Sequence, residues 1–247
     1  METLIFKKYN MKINLNKITA VIGPESSGKT TIFKLLANKI NNESVYLDKK
    51  RLNDYEFDFL KKNVMTIFDF ESFLTDYVKD ELSFYLKKFN YNEKEISSRV
   101  SLVTHYFHIE DLIDYKIAFL NTQEKCFIKI LSFLIVNPDI LGIDNLFSYL
   151  NNDQVKLIID YVKDYNISLI YTSTNPEYLL YSDEVVVINN FKLVKSGETK
   201  KVLKDKILKD LKLPMPFIIE INEYLKYYEL VDKDFETINE CVGALWK

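Results

Sequence analysis

The sequence predicts an α/β fold built on a mainly parallel sheet, and three observations carry that prediction. Ile18, Thr19, Ala20, Val21 and Ile22 form a short, largely apolar run ending at Gly23. After Thr30 the pattern changes to a helical one, with Ile32, Leu35, Leu36 and Lys39 near a 3.6-residue period. Between residues 140 and 188, apolar runs alternate with amphipathic stretches, the order that gives parallel strands covered on both faces. The 247 residues, 47% of them hydrophobic, are enough for one sizeable domain or a domain with a short appendage.

Taken in order, the chain opens on a strand directly after Met1, with no sign of a targeting leader. Residues 45–47 and 64–68 read as further strands. From about residue 72 to 120 strands are not expected, and amphipathic stretches at 78–89 and 93–107 predict an inserted helical subdomain. Residues 140–143 read as a buried strand ending in Asp144. A helix follows over 153–165, where Val155, Ile158, Ile159 and Val162 fall at i, i+3, i+4 and i+7. Residues 167–171 and 184–188 are strands again, and 192–195 is a hairpin arm. After Gly197 the chain reads as helical, punctuated by Pro214 and Pro216. Lysines 200, 201, 204, 206, 209 and 212 lie on one solvated helical stretch broken by Asp205 and Asp210.

Charge and composition exclude some functions. A formal net charge of -3 supplies no basic face for a nucleic acid. Cys126 and Cys241 are too far apart for metal-type spacing and read as reduced, buried thiols. The apolar stretch 127–136 contains Lys129 and is too short to cross a bilayer. His105 and His108 sit at i, i+3 on a predicted helix and read as solvated or packed residues, not a metal pair.

Gly23, Pro24, Glu25, Ser26, Ser27, Gly28, Lys29 and Thr30 match G-x-x-x-x-G-K-[ST] in the strand–loop–helix context that this phosphate loop requires. The glycines let backbone N–H groups close around phosphates, and the following helix, from Thr31 on, aims its positive end at them. Lys29 is placed for the β- and γ-phosphates, and the Thr30 hydroxyl for Mg²⁺. A chain with five glycines puts two at the required positions. Asp144, ending an apolar strand downstream, is the carboxylate expected to hold Mg²⁺ opposite the loop. The ligand implied is ATP with Mg²⁺.

The order of these motifs resembles that of the ATP-binding cassette (ABC) ATPases. Leu120, Asn121, Thr122, Gln123, Glu124 and Lys125 occupy the place of that superfamily's signature, with Asn121 for its Ser and Gln123 for its Gly. The tail is similar to that of the ATPase subunits of energy-coupling factor (ECF) transporters. Its matching stretches are Gly197, Glu198 and Thr199 to Leu203, then Leu213, Pro214, Met215, Pro216 and Phe217, then Asp232 to Leu245. The resemblance implies a P-loop NTPase domain of ABC type over residues 1–197, with its helical insert at about 72–120. It also implies a C-terminal extension over 198–247 that helps two ATPases pair.

Further expectations follow from the resemblance alone. Tyr9 falls at the place of the aromatic that stacks on adenine, while a strand-end tyrosine packed on the core is the other reading. Asp69 falls at the Q-loop glutamine, a Mg²⁺ ligand. The catalytic glutamate and the switch histidine align with Asn145 and Ser173, and the D-loop aspartate with Asn151. Asn121, Thr122, Gln123 and Glu124 are expected to face the partner's ATP. An amide at 145 cannot accept the proton of the attacking water, and such a base contributes about 10²–10⁴-fold. The chain is therefore expected to hold ATP, hydrolyse it poorly, and pair with a second, more typical ABC ATPase. A transmembrane coupling protein and a substrate-binding membrane subunit complete the implied assembly, on the cytoplasmic face of the membrane, for vitamin or metal uptake. Two further readings are a non-hydrolytic regulatory or scaffold subunit and a small-molecule P-loop kinase.

Overall fold

Short runs of aliphatic residues become the strands at the centre of the molecule, and the stretches between them become the helices that cover it. The computed structural model describes residues 1–40, 44–69 and 72–245. Its elements begin β1 (Thr3–Phe6), β2 (Met11–Asn14), β3 (Ile18–Ile22), α1 (Lys29–Leu36), β4 (Val45–Leu47), β5 (Lys50–Arg51), α2 (Phe57–Asn63) and β6 (Val64–Phe68). Then come α3 (Val78–Lys88), α4 (Glu93–Tyr106), α5 (Thr122–Leu134), β7 (Ile140–Asp144), α6 (Asn152–Asp164), β8 (Ser168–Thr172), β9 (Glu184–Asn189) and β10 (Lys192–Glu198). The chain closes with α7 (Thr199–Val202), α8 (Ile207–Asp210), α9 (Phe217–Tyr227) and α10 (Ile238–Leu245).

Every residue of β3, β7 and β8 is buried, as parallel strands covered on both faces must be. They lie within a six-stranded sheet of order β10-β9-β3-β8-β7-β6, parallel except for the edge strand β10. A separate antiparallel sheet has the order β2-β1-β4-β5. Alternate side chains of the parallel strands point to opposite faces. Val21, Ile140, Ile170 and Val186 meet α1 and the antiparallel sheet through Ile32, Phe33, Leu4 and Phe6. Ala20, Ile143, Leu169 and Val187 meet the core that α3, α4, α5 and α6 complete with Leu82, Val103, Leu131 and Ile158. Each such large apolar side chain contributes about 1.5–3 kcal/mol by leaving water.

Helices α3 and α5 are tied together by a buried ion pair. Lys129 on α5 lies 3.1 Å from Glu81 on α3, and the two side chains are 5% and 0% exposed. Glu81 also accepts from the N–H groups of Leu74 and Thr75 and from the Thr75 hydroxyl, while Lys129 donates to the Ser72 carbonyl. Three neutral donors and the Lys129 countercharge offset the desolvation of the carboxylate.

The C-terminal part packs in two ways. Val202, Leu203 and Leu208 join the main core, whereas Ile218, Leu225, Phe235 and Cys241 form a small cluster of their own. Ion pairs link the two parts: Lys200 with Glu236 at 2.6 Å, Lys209 with Glu223 at 2.7 Å, and Lys204 with Asp234.

Several boundaries differ from the sequence reading. The lysine-rich stretch is two short helices, α7 and α8, because Asp205 accepts from the Ile207 N–H and pairs with Lys195, starting a new turn. β8 starts at Ser168, since Ile167 still closes the preceding helix through its N–H to the Val162 carbonyl. Helix α2 had no counterpart in the reading, being only seven residues long. Cys241 is buried, but Cys126 is only half-buried. Residues 246 and 247 of the expected extension lie outside the described residues.

Candidate functional site

Parallel strands all present their carboxyl ends on one side, the side where open α/β sheets bind ligands. β3 leads into the loop at 23–28, β6 into Asp69, β7 into Asp144 and Asn145, and β8 into Thr172 and Ser173. Register places Asp144 beside both Phe68 and Thr172. The result is a cleft of ≈ 590 Å³ whose lining includes Lys29, Thr30, Asp69, Asp144, Asn145 and Ser173. Glu25 and Ser26 line it too.

The glycine loop is closed as tightly as its sequence requires. A Cβ on Gly23 would lie 2.1 Å from the Ile188 carbonyl oxygen, which only glycine avoids. Gly28 has φ +103° and immediately precedes α1, with no side-chain cap, so the first-turn amides of α1 keep their donors for a ligand. Lys29 Nζ donates to the carbonyls of Gly23 and Pro24, both at 2.7 Å, spanning the loop. Burial pushes its pKa down, against the nearby carboxylates of Asp144 and Glu25. Ser27 turns inward: its side chain is buried and finds no hydrogen-bond partner among the described residues. Its N–H donates to Pro24 at 3.3 Å and its carbonyl accepts from Phe191 at 2.9 Å.

Thr30 is exposed at the start of α1, and Thr31 beside it is half-buried. Asp144 is 7% exposed and accepts from the Thr172 hydroxyl at 2.9 Å through Oδ1. A hydroxyl and a carboxylate facing one cleft are the hard oxygen donors that suit Mg²⁺, and a closed loop with uncapped helix amides suits a polyphosphate. The residues therefore fit Mg-ATP. Among the described residues no group of three His, Cys, Asp or Glu gathers for a metal, so most ligands would come from water and phosphate.

Asn145 directly follows Asp144 at the end of β7, in the left-handed conformation at φ 64°. Its amide oxygen accepts from Ser148 Oγ at 2.7 Å, and its Nδ2 lies 3.5 Å from Asp69 Oδ2. Tyr149 donates to the same Asp69 oxygen at 2.9 Å. Ser148 Oγ also lies 3.3 Å from Ser173 Oγ and accepts from the Thr174 N–H. Positions 69, 145 and 173 thus belong to one polar network, held together by Ser148 and Tyr149. Those two residues, with Thr172 and Thr174, escape sequence reading because they gain meaning only when β7 and β8 are neighbours.

Of the two readings of Tyr9, the packing on the core is the one seen in this structure. Tyr9 is fully buried in the turn between β1 and β2, and its hydroxyl donates to the Gly28 carbonyl at 2.9 Å. Burial raises its pKa, partly offset by a hydrogen bond with Thr31. A ring enclosed in the core offers no face to a base, so Tyr9 supports the loop from beneath.

Residues 120–125 lead into α5. Asn121 caps it, accepting from the Glu124 N–H, and Glu124 returns the bond to the Asn121 N–H, both at 2.9 Å. Thr122 is the first helical residue, and the Gln123 amide donates to Gln154 at the start of α6 at 2.9 Å. Asn151 caps α6 in the same manner as Asn121 caps α5. His105 pairs with Glu110 at 3.0 Å.

The family model described as ABC transporter matches residues 6–148. The energy-coupling factor transporter ATP-binding protein EcfA1 of Mesomycoplasma hyopneumoniae (strain 7448) is 30% identical over 256 residues, spanning 100% of this chain and 93% of that protein. The energy-coupling factor transporter ATP-binding protein EcfA of Aster yellows witches'-broom phytoplasma (strain AYWB) is 28% identical over 242 residues, spanning 94% of this chain and 86% of that protein. Among solved structures, cbiO1 from Clostridium perfringens, part of the ABC transporter complex cbiONQ, superposes with a TM-score of 0.71 at 23% identity. That match covers 87% of this chain and 91% of the other, and it speaks for the fold.

Proposed function

Because the chain belongs to the ABC transporter family, we propose that it is the ATP-binding subunit of an ECF-type importer for a vitamin or a metal. In this reading Gly23 to Thr30, with Thr31, hold the phosphates, and Thr30, Asp144 and Asp69 supply oxygen ligands to Mg²⁺. A second ABC ATPase performs most of the hydrolysis. Residues 198–247 serve the pairing of the two ATPases, and Asn121, Thr122, Gln123 and Glu124 face the nucleotide of the partner. A transmembrane coupling protein and a substrate-binding membrane subunit complete the complex, with this chain on the cytoplasmic face.

The observation that carries the reading is the contrast within one cleft. Lys29, Thr30 and Asp144 are present, while position 145 is an amide whose oxygen is already engaged by Ser148. Such a cleft binds a nucleotide but has no carboxylate at 145 to take a proton from water, a deficit of about 10²–10⁴-fold. The test is steady-state phosphate release by the purified chain. We expect binding of Mg-ATP with turnover near background, and recovery of turnover only when the second ATPase is added. Brisk hydrolysis by the chain alone would sink the proposal.

The network joining Asn145, Ser148, Asp69 and Ser173 also favours a second reading, a subunit that binds nucleotide without hydrolysing it and regulates or scaffolds its partner. Lys29→Ala in the assembled complex separates the two. Loss of ATP turnover by the complex supports the importer subunit, and unchanged turnover supports the regulatory one.

A further inference from the structure

The C-terminal extension reaches back to the rim of the cleft. Lys212, in the left-handed conformation at φ 52°, ends α8, and the Leu213 N–H closes on the Leu208 carbonyl at 2.8 Å. Leu213 and Pro214 then border a cavity of ≈ 200 Å³ whose lining also includes Gly23, Lys29, Ser173 and Thr174. A segment of the extension thus shares a cavity with the phosphate loop.

The start of α9 is a second, independent observation. Its cap residue is Pro216, whose ring has no oxygen to offer the first-turn amides. Glu177, 40 positions earlier, fills that place, its Oε1 accepting from the Phe217 N–H at 2.7 Å. A carboxylate suits the positive end of a helix, and its charge strengthens the bond. Glu177 lies in the short 3-10 helix Pro176–Tyr181, and Asn175 before it accepts from the Glu177 N–H at 3.1 Å. The Asn175 N–H donates to Ser173 Oγ at 3.1 Å. Ser173 meets Ser148, which holds Asn145. An unbroken run of bonds leads from the residue after Asp144 to the first residue of α9.

We propose that Glu177 is a positioning residue that couples the nucleotide cleft to the C-terminal extension. Resting on the Mg-ATP reading above, this coupling regulates that same site. Phosphates seated on the loop compete for Lys29 Nζ with the Gly23 and Pro24 carbonyls that hold it here. Ser173 lines the cleft and, with Lys29, the cavity that Leu213 and Pro214 border, so loading the loop resets both. Fixing Ser173 steadies Asn175 and Glu177, and α9 gains a firmer first turn. Such coupling is reciprocal, so a secured α9 raises the affinity for nucleotide in turn.

The test is hydrogen exchange of the full chain with and without Mg-ATP, read by mass spectrometry, together with Mg-ATP affinity by calorimetry. Glu177→Ala removes the acceptor, and Glu177→Gln keeps an oxygen there without the charge. Asn175→Ala leaves Glu177 facing Phe217 but cuts its link to Ser173. We expect Mg-ATP to slow exchange in wild type both over residues 23–31 and, about fivefold or more, over residues 217–227. In Glu177→Ala and Asn175→Ala, saturating Mg-ATP still protects the phosphate loop but no longer protects α9, and affinity falls about fivefold. Glu177→Gln retains most of both effects. Asn175→Ala decides the matter even where Glu177→Ala loosens α9 by itself, because it keeps the cap. Equal protection of α9 by Mg-ATP in wild type and Asn175→Ala, or equal affinity in the two, would overturn the proposal. So would a wild-type α9 indifferent to Mg-ATP while the phosphate loop is protected, which leaves the Mg-ATP reading standing. If Mg-ATP protects neither region of wild type, that reading fails and takes the coupling with it.

Discussion

At the scale of single residues, a chain with five glycines meets its left-handed positions largely with asparagine. Asn10, Asn16, Asn38, Asn90, Asn137, Asn145, Asn166 and Asn190 all have positive φ. Asparagine tolerates that region because its short side chain bonds locally. The glycines at 23 and 28 are of a different kind: 23 is crowded by backbone and 28 by two rings, and no asparagine fits either place. The same crowding explains Tyr9, whose hydroxyl carries the Gly28 carbonyl. Tyr9→Phe removes that one bond and keeps the ring, so we expect a loss of about 0.5–1.5 kcal/mol in urea unfolding. A loss well beyond that range, or none, would show that the Gly28 carbonyl finds or needs a different partner.

At the scale of elements, α3 and α5 meet at the Glu81–Lys129 pair. Lys129→Met leaves Glu81 charged in the core with only its hydrogen bonds, and breaking a buried pair from one side costs about 3–5 kcal/mol. Urea unfolding should register that loss, and the double variant Glu81→Leu with Lys129→Leu should recover much of it. If the single and double variants are equally unstable, the pair is not what joins α3 to α5. Lys129 was legible in the sequence only as an interruption of an apolar stretch. Its partner lies 48 positions away, and only the packing of α3 on α5 brings the two together. Helices α4, α5 and α6 show the opposite case. Each starts at an asparagine that completes a capping box with the residue three positions on, a signal written locally in the chain.

At the scale of the whole molecule, the small cluster around Phe235 is bound to the main domain through charged side chains. Asp234 accepts from Lys204 and Lys226, and both hold its pKa below the ordinary aspartate value. A depressed carboxylate pKa stabilises the fold above the unfolded-state value near 3.9, and that contribution is lost as pH falls through the folded-state value. Asp234→Asn should therefore lower the melting temperature at pH 7 and pH 5, and the gap to wild type should close only below about pH 4. A gap that is the same at every pH would assign the loss to packing and not to charge.

Local chemistry by itself determined much of this protein. The phosphate loop, the buried strands 18–22, 64–68 and 140–144, and the helical insert rest on spacing within a few residues, so they could be read from the chain. Tertiary structure alone decided the rest. It buried Tyr9 under Gly28, placed Ser148 and Tyr149 between Asp69, Asn145 and Ser173, and brought Phe191 to the loop. The last two depend on which strands become neighbours, β6 beside β7 beside β8 and β3 beside β9, and the first on how the antiparallel sheet packs against α1. Strand order is a consequence of burying both faces of the sheet at once, and no short stretch of sequence contains it.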